Sequence, residues 1–161
     1  DTEVDRRLTE VGTDDALDLL GTAAITQGKL AYQLAMTAFS GSRWDVLEER
    51  GAKLQRPLWA STSTKNPEYP DTYYVDSLIG PNTVNTLPEA TLEAFDDHGN
   101  LVSTLDASPE ADQKRWEQLG ELVDLDEVSA KLEAEGVASF ATSFDDVLAT
   151  LAERVGPSVD G

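Results

Sequence analysis

Two short apolar stretches, Leu54 to Ala60 and Thr83 to Leu87, interrupt a sequence whose apolar spacing is otherwise helical. They constrain the fold more than any other feature, because each is too brief to be a helix. The first reads as a buried strand at about 56–60, since Pro57 is tolerated at a strand's first residue and not in its middle. The second, with β-branched Thr83 and Val84, reads as a strand at about 83–87. Residues 71–79 between them read as a helix closed by Gly80-Pro81. Strand, helix, strand, with a loop after each strand's C-terminus, is the βαβ unit of parallel strands joined by a right-handed crossover. Two parallel strands do not make a sheet alone, because such sheets are covered on both faces and have more neighbours. The pattern therefore implies α/β structure whose sheet continues beyond these residues.

The flanking segments predict helices over 1–51 and 88–155. Asp1 suits an N-cap, Glu3 and Asp5 complement the positive end of a helix, and Val4, Leu8 and Val11 form a stripe. Thr13-Asp14-Asp15 opens a short second helix stopped by Gly21. Residues 22–39 carry Ala24, Leu30, Ala31, Leu34, Ala35 and Ala38 in positions for burial, and Trp44 to Glu49 is one more helical piece, ending at Gly51. Pro88 fits the first turn of a helix that runs to Asp97 and stops at His98-Gly99. Beyond Pro109 the pattern is helical only, to Leu122, from Leu125 to Glu135 and from Phe144 to Val155, with breaks expected at Gly120 and Gly136. A sequence that opens on a helix cap without Met reads as part of a longer chain.

Charge excludes several functions. The chain of 161 residues has a formal charge of −19, and residues 88–161 hold 4 basic against 18 acidic groups. Nucleic-acid binding needs a basic footprint, so that class is excluded, and anionic membrane surfaces are disfavoured for the same reason. No apolar run approaches the roughly 20 residues that cross a bilayer, and the first residues do not resemble a signal peptide. A cytoplasmic protein is the expectation. The absence of Cys excludes disulfide frameworks and thiolate metal sites.

The chemistry concentrates after the first strand, where parallel α/β folds place their sites. Ser61-Thr62-Ser63-Thr64 supplies four consecutive hydroxyls, and Lys65-Asn66 adds a positive charge and an amide. That set suits an anionic or polyhydroxylated ligand. It equally suits a polar loop whose hydroxyls satisfy backbone groups. The spacing of a phosphate-cradling GxxxxGK[ST] loop is absent. Lys65 lies among hydroxyls in a wet loop, which keeps the ammonium charged and better fitted to hold phosphate than to attack a carbonyl. His98, the single imidazole, sits at a helix end before Gly99 and reads as a capping residue. Asp124-Leu125-Asp126 lacks the Gly and Glu of a calcium loop and reads as a helix N-terminal cluster. Tyr69, Tyr73 and Tyr74 read as core packing.

Arg56 to Pro67, Asp71 to Pro81 and Thr83 to Leu92 together resemble the C-terminal part of bacterial transaldolases, in particular the actinobacterial type. Asp1 to Leu8 is similar to the segment after the sixth barrel strand, and Gly136 to Leu151 to the last helical turns. The resemblance implies the C-terminal part of a (β/α)8 TIM barrel, contributing the last two βα units and the terminal helices. It also implies transfer of a dihydroxyacetone unit from sedoheptulose 7-phosphate to glyceraldehyde 3-phosphate, in the pentose phosphate pathway. The family's lysine Schiff base needs no metal or cofactor. Its lysine, its first-strand Thr-Asn-Pro motif and its phosphate-binding arginine would all precede Asp1, so no catalytic residue is expected in these residues and the N-terminal barrel portion is a required partner. Ser61 matches the pocket serine of the seventh strand, and Lys65 resembles the basic residue of that loop which helps hold the sugar phosphate. An acidic helical binding module without catalytic activity is the contrasting possibility.

Overall fold

The computed structural model describes residues 1–105 and 108–155. The chain divides into two compact units, Asp1–Val123 and Asp124–Gly161. In the first, α1 (Thr2–Val11), α2 (Asp14–Leu17), α3 (Ala23–Ala38) and α4 (Ser42–Glu49) precede β1 (Leu58–Trp59). There follow α5 (Tyr73–Ser77), β2 (Val84–Asn85), α6 (Glu89–His98) and α7 (Pro109–Leu122).

The two strands pair in parallel, Leu58 opposite Val84 and Trp59 opposite Asn85. Val84 N–H donates to Pro57 O and Thr86 N–H to Trp59 O, each at 3.0 Å. Pro57 thus stands just outside β1, where its missing N–H costs no ladder bond. The strand is shorter than 56–60 and is not buried, since Leu58 is 55% exposed. A two-stranded sheet leaves one face uncovered, whereas the Trp59 side is held by its indole N–H donating to Leu78 O at 3.0 Å.

The core gathers Ile25, Tyr32, Leu78 and Leu105, with Met36, Trp59, Tyr73 and Tyr74 packed on it. α3 also packs on α7, and α1 on α2. The helix α3 therefore buries a different face from the one expected: Leu34 is 71% exposed and Ala31 is exposed too. Apart from a polar stripe of Thr26, Lys29, Gln33 and Thr37, apolar residues cover a wide arc of this helix, so spacing alone does not select the buried part, and the large Ile25 and Tyr32, seven positions apart, are the ones buried. Val4 and Leu8 of α1 are buried as the stripe requires, while Val11 is exposed.

Pro109 opens α7, which passes through Gly120 without a break. In the second unit α8 runs unbroken from Leu125 to Val155, so neither Gly120 nor Gly136 ends a helix. A helix-interior glycine costs about 1 kcal/mol relative to alanine but keeps its N–H, and the continuing hydrogen bonds outweigh it. Asp124 begins α8 by accepting Glu127 N–H at 2.9 Å, the structural role expected of that acidic cluster. Val137, Phe140, Phe144, Val147, Leu148 and Leu151 of α8 are exposed at helical spacing. Among the described residues no helix is long and apolar enough to cross a membrane.

Candidate functional site

The loop after β1 opens with its backbone in an unusual place. Ser61 has φ 58°, the left-handed region that costs a residue with a Cβ roughly 1–2 kcal/mol. Its neighbour Thr62 is buried and donates from Oγ1 to Asn85 Oδ1 at 2.8 Å, which ties the loop to the end of β2. Thr64 Oγ1 donates to Asp71 O at 3.2 Å. Asn66 closes the loop in an Asx turn, Oδ1 accepting Glu68 N–H at 3.0 Å and its carbonyl accepting Tyr69 N–H at 3.2 Å. Of the four hydroxyls expected either to hold a ligand or to satisfy the chain, Thr62 and Thr64 are therefore engaged internally. Ser61 and Lys65 are exposed.

Both expected site residues, Ser61 and Lys65, line one cavity of about 900 Å³. Its other walls are the small-residue face of α3, where Ala24, Gln27, Gly28 and Ala31 recur at i, i+3, i+4 and i+7, and the first turns of α1. A side chain at Gly28 would meet Leu78, its Cβ falling 2.9 Å from Leu78 Cδ2, so glycine allows α3 to lie this close to the segment that follows α5. Gln27 and Ala31 on this face are exposed, while Ala24 and Gly28 are partly buried.

Two aspartates were not expected at the site. Asp1, read as an N-cap, stands at that position with no side-chain cap bond, and Asp5 was read as a charge favouring the start of α1; both side chains reach across to the start of α3. Asp1 Oδ1 accepts Ala24 N–H at 2.7 Å and Asp5 Oδ1 accepts Gly21 N–H at 2.8 Å. The second oxygen of each takes a phenol, Tyr74 on Asp1 and Tyr69 on Asp5, the latter at 3.0 Å. Tyr69 and Tyr74 thus line the cavity as well as packing. Burial, joined by the bond to Asp5, pushes the Tyr69 hydroxyl up to about 12. Burial, joined by the charge of Asp5, takes Tyr74 to about 12 also. Both phenols therefore stay protonated and act as donors, and each carboxylate accepts from a backbone N–H and a hydroxyl.

His98 lies at the end of α6 but does not cap its carbonyls. Nε2 sits 2.8 Å from Asp71 Oδ1 and Nδ1 sits 3.1 Å from Asp97 Oδ2. The imidazole is half exposed and stands apart from the residues that line the cavity. The Asp71 hydrogen bond, then that of Asp97, raises its pKa. The imidazole thus pairs with two carboxylates, and the capping expected at the helix end is not formed.

The sequence matches the model of the family described as Transaldolase/Fructose-6-phosphate aldolase over residues 4–151. A transaldolase of Parafrankia sp. (strain EAN1pec) is 50% identical over 158 residues, which is 97% of this chain and 43% of that protein. A transaldolase of Frankia alni is 48% identical over 161 residues, 98% of this chain and 43% of its own length. A transaldolase of Mycolicibacterium smegmatis is 45% identical over 150 residues, 92% of this chain and 40% of its own length. The chain thus spans less than half the length of the curated relatives it matches.

Proposed function

The chain belongs to the transaldolase/fructose-6-phosphate aldolase family, and from that premise we propose that it supplies the C-terminal part of a (β/α)8 barrel transaldolase. In this reading β1 and β2 are the last two barrel strands, the rest of the barrel is the missing neighbour of their open face, and the enzyme works in the cytoplasm. The complete enzyme transfers a dihydroxyacetone unit from sedoheptulose 7-phosphate to glyceraldehyde 3-phosphate. Its Schiff-base lysine lies outside these residues. The observation that carries the reading is the family match over residues 4–151, which includes the parallel β1–α5–β2 unit and the loop at the end of β1. That match leaves the acidic binding module without support.

Within the complete enzyme, Ser61 and Lys65 bind the sugar phosphate. Lys65 supplies an ammonium that is not used elsewhere, since among the described residues its side chain forms no hydrogen bond or ion pair. A charged donor to phosphate is worth about 1.5–3 kcal/mol. Lys65→Ala should therefore raise KM for the phosphorylated substrate roughly tenfold or more while kcat changes little. An unchanged KM would sink the phosphate role. Borohydride with a ketose phosphate should trap a polypeptide that carries the whole barrel and should not trap these 161 residues alone. Trapping of the shorter chain would place the nucleophile on Lys29, Lys53, Lys65, Lys114 or Lys131 and overturn the assignment.

A further inference from the structure

The position of Lys65 is set from outside the loop. On one side Thr64 is tied to Asp71, and on the other the Asn66 carbonyl is tied to the backbone of Tyr69. Tyr69 is in turn fixed at three points. Its hydroxyl donates to Asp5 at 3.0 Å, its ring lies 5.3 Å from that of Tyr73, and its edge is pressed on Gly21. Gly21 has φ 73°, and a Cβ there would fall 2.7 Å from Tyr69 Cζ, so both its conformation and its closeness require glycine. The same Gly21 donates its N–H to Asp5. Asp5, Gly21 and Tyr69 thus form a closed lock between α1, the turn before α3 and the far end of the loop. Each Asp5 oxygen accepts one of these hydrogen bonds, so the carboxylate is held from both sides.

We propose that Asp5 and Tyr69 are positioning residues, holding the Ser61–Asn66 loop so that Lys65 meets the substrate's phosphate. The inference rests on the reading of that loop given above. It predicts an effect on the phosphate that vanishes when either the phosphate or Lys65 is absent.

The test uses the barrel-length enzyme that carries this sequence, with glyceraldehyde 3-phosphate and unphosphorylated glyceraldehyde as alternative acceptors. Tyr69→Phe should raise KM for the phosphorylated acceptor about tenfold, leave kcat within about twofold, and leave kcat/KM for glyceraldehyde unchanged. In a Lys65→Ala background the same substitution should add less than about twofold, because the two changes act through one contact. Asp5→Asn, which keeps the shape and one acceptor, should reproduce the pattern and serves if Tyr69→Phe fails to fold. Equal losses on both acceptors, or full additivity with Lys65→Ala, would overturn the positioning role and leave the phosphate loop standing. Lys65→Ala without any effect on the phosphorylated acceptor would instead overturn the reading of the loop itself.

Discussion

Replacing Ser61 by glycine should stabilise the unit that contains it while impairing the site. The residue holds φ 58°, and the left-handed region costs an L-residue with a Cβ roughly 1–2 kcal/mol. Among the described residues its side chain makes no hydrogen bond, so no such bond is lost on truncation. Glycine returns about 0.4–1 kcal/mol of that gain through its greater freedom in the unfolded chain. The net stabilisation is then about 0.5–1 kcal/mol, and with a urea m-value of about 2 kcal/mol/M the midpoint rises by roughly 0.3–0.5 M. Tryptophan fluorescence is the suitable assay, since Trp44, Trp59 and Trp116 all lie within Asp1–Val123 and report that unit. Ser61→Ala is the control. It removes the hydroxyl but keeps the Cβ, and should leave the midpoint within roughly 0.2 M of the parent. In the barrel-length enzyme both variants should weaken sugar-phosphate binding. A glycine variant no more stable than the alanine variant would refute the claim that the left-handed backbone at Ser61 is strained.

His98 and Asp71 give a pH signature whose sign follows from their shifts. The hydrogen bond to Asp71 raises His98, so its contribution is complete below about 6.5 and is lost as pH rises through the higher folded value. The hydrogen bond from His98 lowers Asp71, so that contribution is present above the usual carboxylate value and is lost as pH falls through the depressed one. His98→Gln should therefore lower the unfolding midpoint at about pH 5.5 and do so less as pH rises through the raised His98 value, and an NMR titration midpoint of His98 at or below the model-compound value would contradict the pairing. Gly136→Ala should raise the melting temperature of α8 by removing about 0.5–1 kcal/mol of helix-interior cost, because nothing lies within 4 Å of the added Cβ. A lower melting temperature would mean that α8 needs a hinge there.

Local pattern was enough to find the strands and the loop. Pro57, the β-branched pair Thr83-Val84 and the Gly80-Pro81 stop mark the parallel unit by turn and strand chemistry that acts within a few residues. Helix ends were legible at Pro109 and Asp124, and also at Gly51 and Gly99, where the apolar spacing stops at the glycine, whereas Gly120 and Gly136 lie inside continuing helices. The face of α3 was misread because apolar residues cover a wide arc of that helix. The cavity's carboxylates were the largest omission. Asp1 and Asp5 recur with the buried Leu8 at i, i+4 and i+7, which places both acids on the packed face of α1 and was the available signal. Their partners Tyr74 and Tyr69 lie far along the chain, beyond the reach of any periodicity.

That separation also has a cost in folding. The phenol–carboxylate bonds that close the cavity join residues 73 and 64 positions apart. The entropy of loop closure must be met before such contacts return anything, and chains rich in distant pairings fold slowly. The helices, by contrast, close their hydrogen bonds four residues at a time. The cavity is thus assembled from contacts that carry a loop-closure cost the helices do not.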